Sequence, residues 1–470
     1  MKKTTLGVII SNRSFFPAHL VTAERVKILA KLEAKAINTI ILSETDTPLG
    51  AVMTYSDAQA CARLFNANRD VIDGILVILP NFGDEVGVAT AIDLAKLNVP
   101  ILVQACDDSL DRMELVNRRD AFCGKLSLCN NLYQRDIKYS VTKQHTCDIN
   151  SPEFDEELDF FAAVCRVVCG VRSARIAAIG ARPDAFHTVR FSEKLLQKYG
   201  ITTSVADMSE IIFEAQKMEN NAEVETKIEE IKAYGRIADG IEDFKIVLQA
   251  KLILTLEKWV NDHDCNASAI QCWDSIQNNY GVATCLAMSM MGEKGLPSAC
   301  EMDVTGALTM YALYLASGNA SAYFDWNNNF ASDRNRCVNL HCSNFPASFF
   351  GHSDFEIGNL GVLSTTLGQD HCFGACKAQI KEGPMTYAKI TTDDKNGRIK
   401  LYVGEGEFLK DKLDTEGGVA VCSVNDLQGL LRYMCMNGFE HHVAMNRANV
   451  AGVLEEALGN YLGWDVYRHS

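Results

Sequence analysis

The stretch Gly74-Ile75-Leu76-Val77-Ile78-Leu79 is a continuous run of apolar residues, rich in β-branched side chains. Three more runs of the same kind lie in the first 106 residues, at Leu6–Ile10, Thr39–Leu42 and Pro100–Val103. Strands that are apolar throughout are buried on both faces, as in a parallel sheet. Segments with helical periodicity separate the runs, at 23–35, 56–68 and 85–97. The N-terminal part of the chain is therefore predicted to be an open α/β layer.

The segment Asn12-Arg13 directly follows the first of these strands. Ligands bind at the carboxyl ends of the strands in an open α/β layer, so Arg13 is predicted to lie in a ligand-facing loop. None of the strands is followed by a Gly-x-Gly-x-x-Gly or Gly-x₄-Gly-Lys-Ser/Thr pattern. The glycine-rich phosphate cradles of dinucleotide- and nucleotide-binding proteins are therefore missing.

A second βα series follows from about residue 151. Its predicted strands are 174–180, 202–205 and 267–273, and its predicted helices are 191–199, 221–239, 243–262 and 276–292. After residue 347 the segments 362–366, 386–392 and 398–403 alternate with the two-residue period of half-solvated strands. The link Asp393-Asp394-Lys395-Asn396-Gly397 predicts a hairpin turn, and one helix around 450–458 is predicted to close the chain.

These patterns predict an α/β protein of three domains. Two open α/β, Rossmann-like domains occupy residues 1–150 and 151–346, and the second of them carries the acidic site residues. A β-rich, barrel-like C-terminal domain with a terminal helix occupies residues 347–470. At 470 residues the chain is too long for a single hydrophobic core.

Composition excludes several classes of function. A net charge of −15 disfavours a nucleic-acid surface and an anionic membrane. The apolar run after Met1-Lys2-Lys3-Thr4 is too short for a secretory signal, so a cytoplasmic protein is predicted. Seventeen cysteines, an odd number, lie mostly in apolar stretches, as at Cys61, Cys285 and Cys435. They are predicted to be free, buried thiols.

Acidic residues and histidines set among small or amide side chains are the candidate site. They occur in Cys300-Glu301-Met302-Asp303, at Asp325 and at His341. Carboxylates with an imidazole suit Mn²⁺ or Mg²⁺ better than a structural zinc. Each residue also has a simpler explanation: a helix cap for the first acids, an Asx-rich turn for Asp325 and a core position for His341. The paired His441-His442 is equally consistent with an ordinary helix start, so the prediction depends on the conjunction of these signals.

The chain resembles the L-fucose isomerase family, with L-arabinose isomerase a more distant relative. The resemblance lies in ordered blocks that span nearly the whole chain: Asn12–Pro17, Gln271–Trp273, Cys300–Leu308, Asp325–Asn329, His341–Pro346 and His441-His442. It implies two α/β domains followed by a β-rich domain, assembled as a trimer or hexamer. It also implies an isomerase that interconverts aldoses and ketoses with Mn²⁺, or with Mg²⁺ or Co²⁺ in its place.

The resemblance also implies roles for single residues. Glu301 and Asp325 match the family's metal-binding acids, and His442 matches its C-terminal metal histidine. Arg13 resembles an arginine that completes the active site of a neighbouring subunit. The positions assigned to the sugar substrate are Arg13, Gln271, Trp273, His341 and His441, of which His341 matches a ligand position in the arabinose branch.

The implied reaction moves one proton between C1 and C2 of the sugar and another between their oxygens. Glu301 and Asp325 are predicted to act as base and acid through a cis-enediol, while the metal ion polarises the carbonyl. L-Fucose, D-arabinose and L-arabinose fit the family, and some of its members act on sulfoquinovose, a glucose with a C6 sulfonate. The alternative from another class is a non-catalytic sugar sensor, since paired α/β domains also form hinged binding proteins.

Overall fold

The structure is a computed structural model that describes residues 3–351 and 355–470. Its first sheet is parallel, and the four apolar runs form four of the five strands. The strands are β1 (Thr5–Ile10), β2 (Asn38–Ile41), β3 (Gly74–Leu79), β4 (Ile101–Ala105) and the short β5 (Ser140–Val141). Their order in the sheet is β2-β1-β3-β4-β5. The helices are α1 (Ala18–Ala34), α2 (Tyr55–Ala67), α3 (Glu85–Ala95), α4 (Ala121–Gln134) and α5 (Pro152–Arg172).

Both faces of this sheet are covered by helices, as its apolar strands require. Alternate residues of the strands pack with α2, α3 and α4 on one face. The other alternate residues pack with α1 and α5. Phe65 of α2 and Phe161 of α5 are fully buried examples from the two sides. The predicted N-terminal α/β layer is confirmed.

A second parallel sheet contains the strands β6 (Arg175–Ile179), β7 (Thr202–Ala206), β9 (Ala267–Ile270) and β10 (Ser298–Cys300). Their order in the sheet is β10-β9-β6-β7. The helices of this region are α6 (Glu193–Gln197), α7 (Met208–Lys217), α8 (Ala222–Tyr234), α9 (Asp243–Asp262), α10 (Ser275–Asn279), α11 (Cys285–Glu293) and α12 (Val304–Ser317). The helix predicted over 276–292 is thus two helices, α10 and α11.

The remaining strands form one large, mostly antiparallel sheet. They are β8 (Arg236–Ile237), β11 (Ser321–Asp325), β12 (Asn328–Phe330), β13 (Asp333–His341), β14 (Glu356–Asn359), β15 (Phe373–Gln379), β16 (Gly383–Asp393), β17 (Arg398–Leu409), β18 (Gly418–Ser423), β19 (His442–Asn446) and β20 (Asp465–Arg468). The order along the sheet is β11-β19-β16-β17-β18-β15-β14-β8, and in addition β12 pairs with β13, β13 with β18, and β20 with β17. Helices α13 (Gly361–Leu367), α14 (Leu427–Met436) and α15 (Ala451–Leu454) accompany them. The strand-rich C-terminal region is confirmed, and its described strands do not close into a barrel.

Helix α12 connects the site-bearing parts of this region. It contacts β9 and β10 of the parallel sheet and also β16 and β19 of the antiparallel sheet. Most of its side chains are buried, because it lies between two layers rather than at a surface. The residues at its N-terminus therefore lie where both sheets meet.

Four sequence predictions are wrong in detail. Residues 362–366 form helix α13 rather than a strand, and the hydroxyls of Ser364, Thr365 and Thr366 donate back to carbonyls three or four residues earlier. Strand β16 is not half-solvated: its residues 385–391 are all buried. The predicted last helix is α15 followed by a π-helical segment, Glu455–Tyr461, and strand β20 comes after it. Cys435 is exposed, whereas Cys61 and Cys285 are buried, and no disulfide joins cysteines among the described residues.

The described chain divides into two compact units, residues 1–169 with 456–462, and residues 170–455 with 463–470. The predicted boundaries of three domains stay a prediction. Among the described residues, no helix is both long and apolar enough to span a lipid bilayer.

Candidate active site

Glu301 lies directly after strand β10, where the backbone turns sharply before α12. Glu301 and Met302 both have φ of +60°, a left-handed conformation that non-glycine residues adopt at a cost of about 1–3 kcal/mol each. Such a conformation persists where the surrounding structure holds it, commonly at functional sites. The indole Nε1 of Trp273 donates to Oε1 of Glu301 at 3.1 Å, which leaves Oε2 for another partner.

Asp325 and His442 are brought together by strand pairing. Asp325 ends β11, His442 begins β19, and the two residues are direct partners across this antiparallel pair. The Nε2 atom of His442 lies 2.9 Å from Oε2 of Glu301 and 3.6 Å from Oδ1 of Asp325. His442 therefore contacts both acidic residues through one nitrogen. The simpler alternative for His441-His442, an ordinary helix start, is wrong, because His442 begins a strand.

Four buried polar atoms of this cluster have no hydrogen-bond partner among the described residues: Glu301 Oε2, Asp325 Oδ1, His341 Nδ1 and His442 Nε2. Glu301 Oε2 and His442 Nε2 are close, but they do not have hydrogen-bond geometry. Buried polar atoms are nearly always satisfied, so four together indicate an absent partner.

The arrangement of these atoms fits a metal ion. One ligand atom each from Glu301, His341 and His442 lie within 4.8 Å of one another, and so do atoms of Asp325, His441 and His442. Two carboxylates with two or three imidazoles form a ligand set suited to a divalent first-row ion. His341, predicted from the sequence as a substrate contact, thus belongs to a group that could hold the ion.

Charges within the cluster shift the pKa values of its members. Burial raises the pKa of Glu301, but His442, His341 and Trp273 outweigh it and the pKa falls below its usual value. Burial likewise opposes ionisation of Asp303, yet Lys389 and His442 hold the pKa of this carboxyl well below its ordinary range. Burial lowers the pKa of His442, whereas Asp303 and Glu301 raise it to a net value of about 9. The cluster therefore favours anionic carboxylates around His442.

Asp303 and Tyr323 contact His442, and Lys389 contacts Asp303. The sequence did not single out the roles of these three residues. Asp303 caps α12 and places its Oδ2 3.2 Å from His442 Nδ1. Tyr323 and Lys389 both contact the same carboxylate oxygen. For these three residues, the only local indication in the sequence is that Asp303 lies two positions after Glu301. Lys389 was hidden because its strand was predicted to be half-solvated.

An aromatic side chain lies against the histidines. The ring of Phe186 packs 5.6 Å from His441, 5.6 Å from His442 and 5.9 Å from Trp273, measured between ring centroids. His441 is half exposed, and its Nδ1 lies 3.4 Å from the hydroxyl of Thr188. Phe186 and Thr188 belong to the loop after β6, so the carboxyl ends of β6, β9 and β10 all contribute to the site.

Two other predicted residues have different surroundings. Gln271 accepts a hydrogen bond from the backbone of Ala181 at 2.9 Å and lines a cavity of about 580 Å³ at the ends of β6, β7 and β9. Arg13 belongs to the first unit, where its Nε donates to the Gly83 carbonyl and its guanidinium pairs with Glu85. Arg13 does follow β1, as expected. Its predicted role toward a neighbouring subunit stays a prediction.

Two family models match this chain. "Fucose/sulfoquinovose isomerase, N-terminal domain" matches residues 7–172, and "L-fucose isomerase, C-terminal domain" matches residues 339–470. Together they span more than half of the chain, at both of its ends. The chain belongs to the L-fucose isomerase-like family.

The curated relatives carry a more specific name. The chain is 23% identical to a sulfoquinovose isomerase of Alkalicoccus urumqiensis, over 64% of this chain and 66% of the relative. It is 25% identical to a sulfoquinovose isomerase of Priestia aryabhattai, over 64% of this chain and 65% of that relative. The matches thus span slightly less than two thirds of each relative's length. These names agree with the predicted enzyme class, an isomerase.

A solved structure also matches part of the chain. It is an ABC transporter periplasmic solute binding protein from Actinobacillus succinogenes 130z with bound D-allose. The match covers 67% of this chain and 92% of the other at 12% identity. Its TM-score of 0.18 is too low to bear on fold or function.

Proposed function

We propose that the chain is a metal-dependent aldose–ketose isomerase and that its preferred substrate is a C6-sulfonated aldose of the sulfoquinovose type. The main support for a metal site is a set of buried polar atoms without hydrogen-bond partners among the described residues. These atoms belong to Glu301, Asp325, His341 and His442. The names of the curated relatives support the sulfonated substrate over L-fucose, D-arabinose and L-arabinose.

In this proposal Glu301, Asp325 and His442 hold a divalent ion, Mn²⁺ or in its place Mg²⁺ or Co²⁺, and His341 is a further donor. The bound ion supplies polarisation of the sugar carbonyl. A sensor would need hydrogen-bonding groups and aromatic rings for the sugar, but no buried, unpartnered set of acids and histidines. The isomerase is therefore the better-supported function.

The carboxylates of Glu301 and Asp325 are proposed to move the protons. One takes the proton from C2 of the sugar and returns it to C1, and the other moves a proton between the oxygens O1 and O2. A cis-enediol therefore lies between aldose and ketose. Trp273 keeps Oε1 of Glu301 occupied by a hydrogen bond. The Asp325 side chain, 23% exposed against 9% for Glu301, is the more accessible of the two carboxylates.

The test is an assay of the full chain after EDTA treatment, with and without added Mn²⁺. The substrate panel contains sulfoquinovose, L-fucose, D-arabinose and L-arabinose, and NMR in D₂O follows ketose formation and deuterium at the C1 and C2 positions. We expect conversion only with metal, exchange of the transferred proton, and the highest kcat/KM for the sulfonated sugar. Sugar binding without conversion would support the sensor, and undiminished turnover after EDTA would reject the metal.

We further propose a trimer or hexamer in which Arg13 completes a neighbouring subunit's site. Light scattering of the purified chain gives the mass of the assembly. R13A and E301Q subunits, each inactive alone, should regain part of the activity when they are refolded together. Such recovery requires a site shared between subunits, and its absence from verified mixed assemblies would remove Arg13 from the neighbouring site.

A further inference from the structure

We propose that Asp303 is a positioning residue: with Tyr323 and Lys389 it orients the ring of His442 so that Nε2 faces Glu301 and Asp325. The inference rests on the proposed metal site. It goes beyond that site by assigning a role to three residues outside the predicted ligand set.

Asp303 and Tyr323 contact Nδ1 of His442, on the side of the ring opposite to the Nε2 that faces Glu301 and Asp325. Nδ1 of His442 is 3.2 Å from Oδ2 of Asp303 and 2.5 Å from the hydroxyl of Tyr323. The same hydroxyl is 2.5 Å from Oδ2 of Asp303. All three side chains are buried. One carboxylate oxygen, one hydroxyl and one ring nitrogen therefore form a closed triangle without solvent.

The triangle determines which ring nitrogen carries the proton in the neutral imidazole, the form that binds a metal ion. The Tyr323 hydroxyl has a single hydrogen, which it donates to the anionic oxygen of Asp303. It then accepts from His442, so Nδ1 must carry a hydrogen. A bare Nδ1 lone pair would instead face the carboxylate oxygen at 3.2 Å, which is repulsive. With the proton on Nδ1, the lone pair of Nε2 points toward Glu301 and Asp325. Histidine ligands of metals are commonly oriented by such a carboxylate.

The second oxygen of Asp303 prevents the carboxylate from rotating. Oδ1 accepts from the backbone N of Gly306 at 2.7 Å and from the hydroxyl of Thr305 at 2.9 Å. Both donors belong to the first turn of α12, which is itself packed between two sheets. The orientation of His442 is thus tied to a rigid helix end.

Lys389 supplies the positive charge that compensates the buried carboxylate of Asp303. Its Nζ lies 2.5 Å from Oδ2 of Asp303, and neither side chain is exposed. Replacing a buried ion pair by apolar groups is often neutral or stabilising, so stability alone is a weak reason for this pair. Instead, Lys389 and His442 meet the same oxygen of Asp303, so the lysine fixes the carboxylate oxygen that faces the ring.

The test separates positioning from stability by a charge-balanced double variant. D303N alone leaves Lys389 buried without its carboxylate, so it should lower both the melting temperature and the Mn²⁺ affinity. D303N/K389M removes both charges and should recover most of the melting temperature. Its Mn²⁺ affinity should nevertheless stay about 10–100-fold below that of the parent chain. Calorimetric titration of the EDTA-treated protein measures the affinity, and circular dichroism measures the melting temperature.

Two further variants complete the test. Y323F should weaken Mn²⁺ binding less than D303N/K389M, because Nδ1 can still donate to Asp303. K227M removes another buried lysine, which pairs with Glu257 at 2.9 Å between α8 and α9. It should lower the melting temperature and leave the Mn²⁺ affinity unchanged.

The outcomes distinguish this inference from the metal site itself. If E301Q weakens Mn²⁺ binding while D303N/K389M binds as tightly as the parent chain, the positioning role is wrong and the metal site stands. If neither variant changes Mn²⁺ binding, the metal site is wrong. Parallel losses of stability and affinity in D303N/K389M would reduce Asp303 to a structural role and would overturn the inference.

Discussion

Asp325 and His442 are direct partners across antiparallel strands β11 and β19, at the end where β11 finishes and β19 begins. This register places an acid and an imidazole from distant parts of the chain side by side. Because side chains alternate along a strand, a slip of one residue would turn His442 away from Asp325. His441 precedes the strand and is half exposed, and its Nε2 lies 3.7 Å from Oδ1 of Asp325. The pairing of these strands is thus a condition for the site.

Glu301→Gln should abolish turnover while the fold stays intact. Glutamine has the same shape and can still accept the hydrogen bond from Trp273, but it cannot take up a proton or bind a cation as a carboxylate does. Turnover measured under saturating Mn²⁺ should fall by at least about a thousandfold, a loss of some 4 kcal/mol in transition-state stabilisation. Glu210→Gln, at an exposed position on α7, is the control. Near-normal turnover in E301Q would remove Glu301 from the mechanism.

Removal of metal should lower the melting temperature, because an ion that binds only the folded state stabilises it. At a free Mn²⁺ concentration 100 times the Kd, the expected gain is about 2.7 kcal/mol. Differential scanning calorimetry of the EDTA-treated chain, before and after Mn²⁺ is added back, measures the shift. A double E301Q/D325N variant should show little or no shift. A metal-dependent shift of the same size in that variant would place the ion elsewhere.

Trp273→Phe should lower kcat/KM about tenfold with little change in the fold. The variant loses the hydrogen bond that holds Oε1 of Glu301, worth about 1.5–3 kcal/mol for a charged acceptor, but keeps an aromatic ring against Phe186. Trp326→Phe is a matched comparison, since it loses an indole hydrogen bond to Tyr402 instead. Steady-state kinetics of both variants measure the effect. Equal losses of kcat/KM in the two would show that orientation of Glu301 is not the cause.

Phe186→Ala should raise KM for the sugar and leave Mn²⁺ affinity unchanged. The ring packs on Trp273, His441 and His442 but offers no ligand atom, so its loss opens the aromatic side of the site. We expect kcat/KM to fall about tenfold or more. Phe244→Ala, at an exposed position on α9, serves as the control and should behave as the parent chain. Unchanged kinetics in F186A would exclude contact between this ring and the substrate.

Gly306→Ala should destabilise the chain, although alanine favours a helix over glycine by about 1 kcal/mol. A Cβ at this position would lie 2.5 Å from Cε2 of Tyr323 and 2.9 Å from Cγ of Asp303. Neither neighbour can move without breaking the contacts around His442, so overpacking should cost about 1–3 kcal/mol. Chemical denaturation measures this change. Gly292→Ala on α11, whose Cβ would meet only Pro346 at 3.2 Å, should cost less.

Most of the local elements, and the acids of the candidate site, are predictable from the amino-acid sequence. Apolar runs such as Leu6–Ile10 predict strands buried on both faces, and the structure covers both faces of that sheet. The turn ending in Gly397, with φ of +64°, joins β16 and β17 as its Asn-Gly pair predicts. The ordered motifs around Glu301, Asp325 and His442 resemble one family, and this resemblance predicts the three residues as part of the site.

The contacts among these residues depend on tertiary packing and cannot be read from the local sequence. Lys389 lies in a segment with the alternation of a half-solvated strand, yet it is fully buried beside Asp303. Asp303 resembles an ordinary helix cap in the sequence, and it is one, but its other oxygen faces His442. Local periodicity encodes only which face of an element is apolar. Which faces meet depends on packing between distant segments, and here helix α12 between two sheets brings the end of β10, strand β16 and the start of β19 to one point.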